Sequence, residues 1–516
     1  MRRLAKERHE HFLHVPYVEP FSSTSVATDF PELFQGAAYS WHKSMEHLRT
    51  MKILLVLPAA ESVRVTRERP AVTDRAMLRF SVLPLTAVAA LTPPEYPVRI
   101  VDENVEALDF DADADVVGVT FMTALAPRAY EIAREFRARG KIVVAGGYHA
   151  TLCTQEVIQH FDAVVVGDAE GAWPQLLQDI EAGRLQKVYC HMDKSAELHT
   201  PVPRRDLLAD HARHYVTLHA VQTGRGCPHG CRYCSITTFH QRKHRQRPLA
   251  DVLAELREVP RNFMFVDDNI ISDRQYAREL FRAMTRLGKR WVSQCSIEIA
   301  DDPELLRMAH QAGCRGLFIG IESTNAANLA AMGKAFNDSA HYGERLARIR
   351  RAGIGAIAGI IVGMDRDDVE VFESTLRFLD RARIDSLQLN ILTPLPGTPL
   401  FNDLENAGRV TDHDWSHYDF RHVVFRPANM TASELQDGAD WLYAQFYRLD
   451  RILLRFLRAV FAIGWLPAIL SLKLNLTYRY DNQREGIVGR NPARRVTRES
   501  HRLTALQLAA LSRSGV

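Results

Sequence analysis

The sequence predicts an α/β chain in three parts: a doubly wound parallel sheet, a run of six β/α units, and a mostly helical C-terminal segment. Three observations predict it. Short apolar runs alternate with helical stretches from Met51 onward, the alternation resumes between residues 216 and 392, and beyond Phe401 helical periodicity takes over. At roughly 150 residues per domain, 516 residues leave room for about three domains. The expected limits are a weakly ordered extension over 1–50, a sheet domain over 51–200, a barrel-like domain over 201–400 and a helical segment over 401–516.

Composition removes several classes. With 65 Lys+Arg against 62 Asp+Glu, the formal net charge is only +3, which argues against a chain organised around a polyanion. A hydrophobic share of 46% is too high for wholesale disorder. Of the seven cysteines, Cys153, Cys190, Cys295 and Cys314 are scattered, while Cys227, Cys231 and Cys234 crowd together. That clustering reads as metal ligation in a reducing compartment rather than secretory stapling.

In the first part, strands are expected at Lys52–Leu57, Val98–Val101, Val116–Val119, Ile142–Ala145 and Ala163–Val166, with helices at Leu83–Leu91, Pro127–Arg139, Thr154–His160 and Ala172–Ala182. Continuous apolar strands between helices imply a parallel sheet of flavodoxin-like winding, with ligands at the carboxyl ends of its strands. Those ends carry Thr120 and Thr123, then Gly146, Gly147, Tyr148 and His149, then Gly167, Asp168 and Glu170. Glycine at a strand end lets a bulky ligand approach the backbone.

The strongest signal opens the second part: Gly224-Arg225-Gly226-Cys227-Pro228-His229-Gly230-Cys231-Arg232-Tyr233-Cys234. Three thiolates spaced C-x3-C-x2-C can hold three irons of a 4Fe–4S cluster and leave the fourth open to a small molecule. A structural zinc site is the alternative, but zinc usually takes four closed ligands and no second cysteine pair follows. Strands are expected at Val216–Thr223, Asn262–Val266, Trp291–Ile299, Gly316–Ile321, Gly355–Val362 and Ser386–Leu392, and helices at Ala250–Glu258, Ala277–Leu287 and Val369–Arg381. Six units fall short of a closed eightfold barrel, whose chemistry would sit at the carboxyl ends of the strands.

This loop and the units after it resemble the radical S-adenosylmethionine (SAM) superfamily, and the sheet ahead of it resembles the cobalamin-binding domain that precedes the barrel in one large group of those enzymes. The resemblance implies a partial (β/α)6 TIM-like barrel, a 4Fe–4S cluster, SAM and cobalamin. One departure stands out. Many cobalamin domains carry Asp-x-His-x-x-Gly, and here Asp113 and Asp115 precede Gly118 with no histidine between them. The resemblance also assigns candidate roles. Asp267-Asp268-Asn269 replace the Gly-Gly-Glu motif at the SAM amino group. Glu298, Glu322 and Ser323 fall to the SAM ribose and amino group or to substrate. Gly359 to Gly363 let adenine lie against the backbone, and Tyr233 and Gln388 line the cofactor. Thr393-Pro394-Leu395-Pro396-Gly397-Thr398-Pro399 is a turn common in this group.

The implied activity is reductive cleavage of SAM to a 5′-deoxyadenosyl radical, followed by cobalamin-dependent C-methylation of an unactivated carbon in a small or lipid-like metabolite. An electron donor of flavodoxin or ferredoxin type is implied with it. Radical cyclisation, as in the anaerobic magnesium-porphyrin oxidative cyclase, is the alternative within the group. A non-catalytic cobalamin or Fe–S protein is the alternative of another class, although a carrier needs no SAM pocket. The extra upstream cysteine triplet of tRNA methylthiotransferases is missing.

The basic run Arg242 to Arg247 reads as a solvated face or a turn before Pro248 rather than a nucleic-acid site; one or two of its arginines could face the SAM carboxylate. In the third part, Thr431 and Glu434 form a capping box ahead of an aromatic stripe at Trp441, Tyr443, Phe446 and Tyr447, expected to cover the barrel's open side. A similar segment follows the barrel in the hopanoid C-2 methylases. Residues 453–472 are apolar, with Arg455 and Arg458 together on one side and Pro467 expected to interrupt the helix. They suggest a packed helix or peripheral membrane contact by a cytoplasmic protein.

Overall fold

A computed structural model of the chain describes residues 50–68, 82–190, 197–484 and 492. The expected extension over 1–50, apart from Thr50, and the Arg-rich tail beyond residue 484, apart from residue 492, lie outside them.

The first sheet contains β1 (Ile53–Leu57), β2 (Val98–Asp102), β3 (Val116–Thr120), β4 (Ile142–Gly146), β5 (Ala163–Val166) and β6 (Val188–Cys190) in the order β2-β1-β3-β4-β5-β6. Every pairing is parallel. Its first five strands follow the flavodoxin-like 2-1-3-4-5 winding. The strands are apolar throughout because both faces are covered. Leu54, Val56, Val117 and Val143 pack with the helix Ala126–Ala138 on one side. Ile53, Leu55, Val116 and Val144 pack with the helices Leu83–Leu91 and Ala169–Glu181 on the other. The sequence pattern did not disclose β6, whose three residues give too short a run. The expected helix Thr154–His160 is only Thr154–Val157, preceded by Tyr148–Leu152.

The second sheet comprises β7 (Ala220–Val221), β10 (Asn262–Phe265), β11 (Arg290–Cys295), β12 (Cys314–Glu322), β13 (Gly355–Val362) and β14 (Ser386–Ile391), ordered β14-β13-β12-β11-β10-β7. An antiparallel ribbon, β8 (Gly224–Arg225) with β9 (Arg245–Gln246), branches off at the cluster loop. All six strands are parallel, and β7 does not pair with β14, so the barrel is partial. Two expectations are corrected. The strand foreseen over Val216–Thr223 shortens to Ala220–Val221. The strand foreseen over Trp291–Ile299 stops at Cys295, because Asn269 Oδ1 accepts the Ser296 N–H (3.0 Å) that a neighbouring strand would have taken. Residues Ile297–Asp301 then coil into a 3-10 turn, so Glu298 is not at a strand end.

The C-terminal helices Ala432–Phe446, Leu449–Ile463 and Trp465–Arg484 brace the β14 edge. Thr431 and Glu434 form the expected capping box. Tyr447 Oη donates to the Leu387 carbonyl and accepts the Leu387 N–H at 3.2 Å, locking the exposed edge of β14. The helix break falls at Gly464, whose φ of 87° a side chain would oppose, and not at Pro467. Pro467 sits in the next helix's first turn, where no intrahelical bond needs its missing N–H. Arg455 turns inward over the Phe446 ring (3.8 Å) and Arg458 outward, so the pair does not share a side.

Candidate active site

Register decides which residues face the barrel lumen. Gln294 aligns with Phe318, Gly320 with Gly359, and Gly359 with Gln388, so these positions share one face. Their neighbours Cys295, Ile319, Ala358 and Leu389 point the other way into the helix-covered core. The lumen-facing residues Gln294, Phe318, Gly320 and Asn390 stay half-buried and Gln388 is exposed, as the walls of an open space would be. Gly359 is not bare: a Cβ there would stand 2.7 Å from the Phe318 ring, which occupies the strip expected for adenine. Gly363, at φ 98°, donates its N–H to Asp367 (3.0 Å).

The cluster loop is gripped from below by carboxylates. Asp267 accepts from Thr223 N–H (3.1 Å), Thr223 Oγ1 (2.6 Å) and Gly224 N–H (2.8 Å), and Asp268 accepts from Gly226 N–H (2.9 Å). Burial raises Asp267 to about 6 and also pushes Asp268 upward. Asn269 supports Ser296, and Ser323 Oγ accepts from Asn325 N–H (3.1 Å). These four side chains brace backbone amides. Glu322 keeps a lumen position at a bulge with φ 63°, tied to Lys334 Nζ (2.6 Å) and to Tyr233. Glu298 lies near His229 (3.5 Å), whose ring stacks on Phe336 at 3.8 Å.

Cys227, Cys231 and Cys234 are unpaired, and close enough to act on one another electrostatically. Burial pushes the Cys227 thiol up to about 11 and raises the other two, so a positive metal centre is what would make them thiolates. This all-sulfur donor set, anchored by Arg232 N–H to Met332 O (3.0 Å) and Leu400 N–H to Arg232 O (3.1 Å), fits a cluster with one open iron.

At the carboxyl edge of the first sheet, Gly147 has φ 95°, and a Cβ there would meet Thr120 Oγ1 at 2.7 Å. A Cβ at Gly146 or Gly167 would meet nothing within 4 Å, leaving a cradle that fits a bulky cofactor. Tyr148 reaches toward the cluster side, its ring 4.8 Å from Phe239. Two of the expected residues already have partners within the protein. His149 is fully buried between Thr123 Oγ1 (3.3 Å) and Tyr130 Oη (3.2 Å), and desolvation lowers its pKa to about 4. Its neighbour Glu156 accepts from Tyr130 Oη (2.7 Å) and Trp415 Nε1 (2.9 Å), so this is a satisfied hydrogen-bond network. Glu170 pairs with Arg225 (2.7 Å).

Sequence reasoning missed the junction this reveals. Asp168 accepts from Arg225 Nη1 (2.9 Å) and also from Arg245, joining the glycine loop after β5 to the β8–β9 ribbon. Arg245 and Arg247 are buried, the latter on Glu255 (2.6 Å), whereas Arg242 and Lys243 are exposed, so the solvated reading holds only for the start of the basic run. Against the far wall of the lumen lies a cavity of about 560 Å³, lined by Gln388, Asn390, Phe420 and Tyr443 among others. A wider depression of about 650 Å³ lies at the amino end of β4 beside Arg137 and Lys187, away from the glycine loops.

A glycine-lined parallel sheet beside a partial barrel with a three-cysteine loop defines an enzyme of cofactor chemistry. Residues 81–177 match the B12 binding domain and residues 221–379 the Radical SAM superfamily. The bacteriochlorophyllide d C-12(1)-methyltransferase of Chlorobaculum tepidum is 32% identical over 72% of this chain and 84% of that protein. The hopanoid C-2 methylase of Rhodopseudomonas palustris is 30% identical over 65% of this chain and 67% of that one. Among solved structures, the cobalamin-dependent SAM radical enzyme OxsB superposes with a TM-score of 0.59 at 13% identity, covering 86% of this chain and 80% of that one. The chain belongs to the cobalamin-binding-domain radical SAM enzymes and, within them, to the methyltransferases; its cofactors are a 4Fe–4S cluster, SAM and cobalamin.

Proposed function

We propose that this methyltransferase places a methyl group on an unactivated carbon of a large, mostly apolar polycyclic molecule. The observation that carries the reading is the incompletely buried lumen face of the barrel strands, with the 560 Å³ cavity along β14. Relatives named for bacteriochlorophyllide d and hopanoids support the substrate class, since both are extended ring systems. When bound, the cluster supplies the electron that cleaves SAM, and cobalamin supplies the methyl group.

The chain's own residues bind, position and shield. Cys227, Cys231 and Cys234 hold the cluster. Asp267 and Asp268 fix the loop backbone beneath it, while Lys334 offsets the Glu322 charge beside it. Thr120, Gly146, Gly147, Tyr148 and Gly167 form the cobalamin cradle. Gly359, with Gly320 beside it on the same lumen face, would leave room for the SAM adenine against the backbone. The domain limits remain 51–200, 201–400 and 401–516.

An external flavodoxin- or ferredoxin-type donor supplies the electron. No described helix is long and apolar enough to cross a membrane. The last two helices nevertheless expose Leu453 (58%), Phe461 (91%) and Trp465 (66%) beside exposed Arg458, a surface suited to peripheral contact with an anionic bilayer from the cytoplasm.

Anaerobic reconstitution with cobalamin, SAM and dithionite tests the reading. The wild type forms 5′-deoxyadenosine, and Cys231→Ala does not. Failure to retain cobalamin, seen in the visible spectrum, removes methylation. Absence of 5′-deoxyadenosine removes the radical step.

A further inference from the structure

The turn that follows the cluster loop carries charge that the fold leaves unpaired. Arg242 and Lys243 are exposed, and neither side chain has an ion-pair or hydrogen-bond partner among the described residues. The other cations about the loop are neutralised: Arg225 by Asp168 and Glu170, Arg232 by Asp403, and Lys334 by Glu322. His240, at the base of the turn, adds no charge near neutral pH, since burial lowers its pKa to about 4. The carboxylates that hold the loop, Asp267 and Asp268, are buried and half-buried.

Surface cations are common, but the backbone beneath these two is not. Gln241 and Arg242 are consecutive left-handed residues, at φ 53° and 59°, a conformation that L side chains seldom adopt. Three bonds hold it: Gln241 N–H to Thr238 O (3.2 Å), Arg242 N–H to Thr237 O (3.0 Å) and Lys243 N–H to His240 O (2.9 Å). The turn is thereby seated on the cluster loop. A Cβ at Gly226 would overlap the Lys243 carbonyl, and one at Gly230 would stand 3.2 Å from the Arg242 guanidinium. Gly333, itself exposed, packs against the same loop, where its Cβ would lie 2.7 Å from the Gly230 carbonyl oxygen. Pro228 is exposed and Cys227 half-buried, so the loop itself reaches the surface here.

Electron transfer weakens steeply with distance, so a protein donor must dock where the cluster loop is least covered. Unpaired cations at such a place attract a partner bearing carboxylates and speed its encounter.

We propose that the turn at residues 241–243, with residues 228–230 beside it, is the docking surface for an acidic one-electron carrier protein. The inference rests on the radical SAM reading above and adds the face at which the reductant meets this chain. One electron leaves the reduced carrier and one arrives at the cluster; no bond forms or breaks.

The test is the affinity of the reconstituted holoenzyme for a fluorescently labelled acidic flavodoxin, read by anisotropy. Arg242→Glu with Lys243→Glu is expected to weaken binding about tenfold, and Arg242→Gln with Lys243→Gln by a smaller factor. Added salt should weaken the wild type and change the double Glu variant little. Arg257→Glu with Arg282→Glu makes the same net charge change at exposed positions near the C-terminal ends of the helices Leu249–Glu258 and Arg274–Met284, and should leave binding nearly unchanged. Iron content, melting temperature and dithionite-driven 5′-deoxyadenosine should match the wild type throughout. Wild-type affinity in the double Glu variant, equal weakening by the distant pair, a binding loss that comes only with loss of iron, or no binding to the wild type at low salt overturns the proposal. Dithionite-driven 5′-deoxyadenosine from the same wild-type preparation keeps such a failure distinct from failure of the methyltransferase reading.

Discussion

Asp168 is the carboxylate through which the two halves of the site are held in register, and removing its charge should loosen one specific segment. It accepts from Arg225, two residues before Cys227, and from Arg245 on the opposite ribbon strand. In Asp168→Asn, Arg225 keeps Glu170, but Arg245 loses its only ion-pair partner among the described residues. Orphaning a fully buried charge costs about 3–5 kcal/mol. The side chains here are 11% and 16% exposed, so water recovers part of that, leaving about 2 kcal/mol. At about 1.4 kcal/mol per decade, local opening of the ribbon and cluster loop should rise roughly thirtyfold. Hydrogen exchange read by mass spectrometry on the peptide spanning 222–234 reports it, because the Gly224 and Gly226 amides are tied to Asp267 and Asp268. Arg245→Met added to Asp168→Asn should recover most of the protection, since the orphan is gone. Unchanged exchange in the single variant refutes the reasoning. So does an increase spread evenly over the second sheet, which would mean a general loss of stability.

The remaining expectations concern other parts of the site. Gly147→Ala forces a Cβ to 2.7 Å from Thr120 Oγ1 at φ 95°, and should cost about 1–3 kcal/mol and lower the melting temperature. Gly146→Ala meets no atom within 4 Å; it should melt normally yet retain less cobalamin in the visible spectrum. His149 has its pKa lowered to about 4, so between pH 6.5 and pH 4 the unfolded chain takes a proton that the folded chain refuses. Its contribution is complete above pH 6.5 and lost as pH falls, by up to about 1.4 kcal/mol per unit. Wild-type melting should therefore drop more steeply than that of His149→Asn over this window, and parallel curves would contradict it. Phe461→Ser with Trp465→Ser should abolish co-sedimentation with phosphatidylserine vesicles while leaving the melting temperature unchanged, as both side chains are mostly exposed.

The parallel sheets were legible because each is written locally. A run such as Ile53–Leu57 is apolar at every position only if both faces are covered, and the C-x3-C-x2-C spacing fixes three ligands on one loop. Roles that depend on side-chain direction were not legible. Asp267, Asp268 and Asn269 look alike as polar residues after a strand, yet all three turn toward backbone amides, and one-dimensional spacing carries no information on that turn. The same limit hid Lys334, which reaches Glu322 across 12 positions, and Phe318, whose ring fills the space that Gly359 seemed to promise. Glu170 and Arg245 were each read alone, one as a cofactor ligand and one as part of a solvated run. Their shared role needed the distance between two sheets.

That junction gives the near-neutral composition a physical meaning. A net charge of +3 from 127 charged side chains says nothing by itself about where they meet. In the fold, opposite charges meet at the seam, Asp168 and Glu170 just after β5 against Arg225 and Arg245 on the β8–β9 ribbon. A largely apolar seam would have been indifferent to small slides, whereas ion pairs with fixed donor directions set a register. The same contact sits two residues from the first cluster ligand and at the mouth of the Gly167 cradle. Four side chains therefore tie the glycine loop after β5 to the ribbon at the cluster loop, and substitutions there should disturb the register between them.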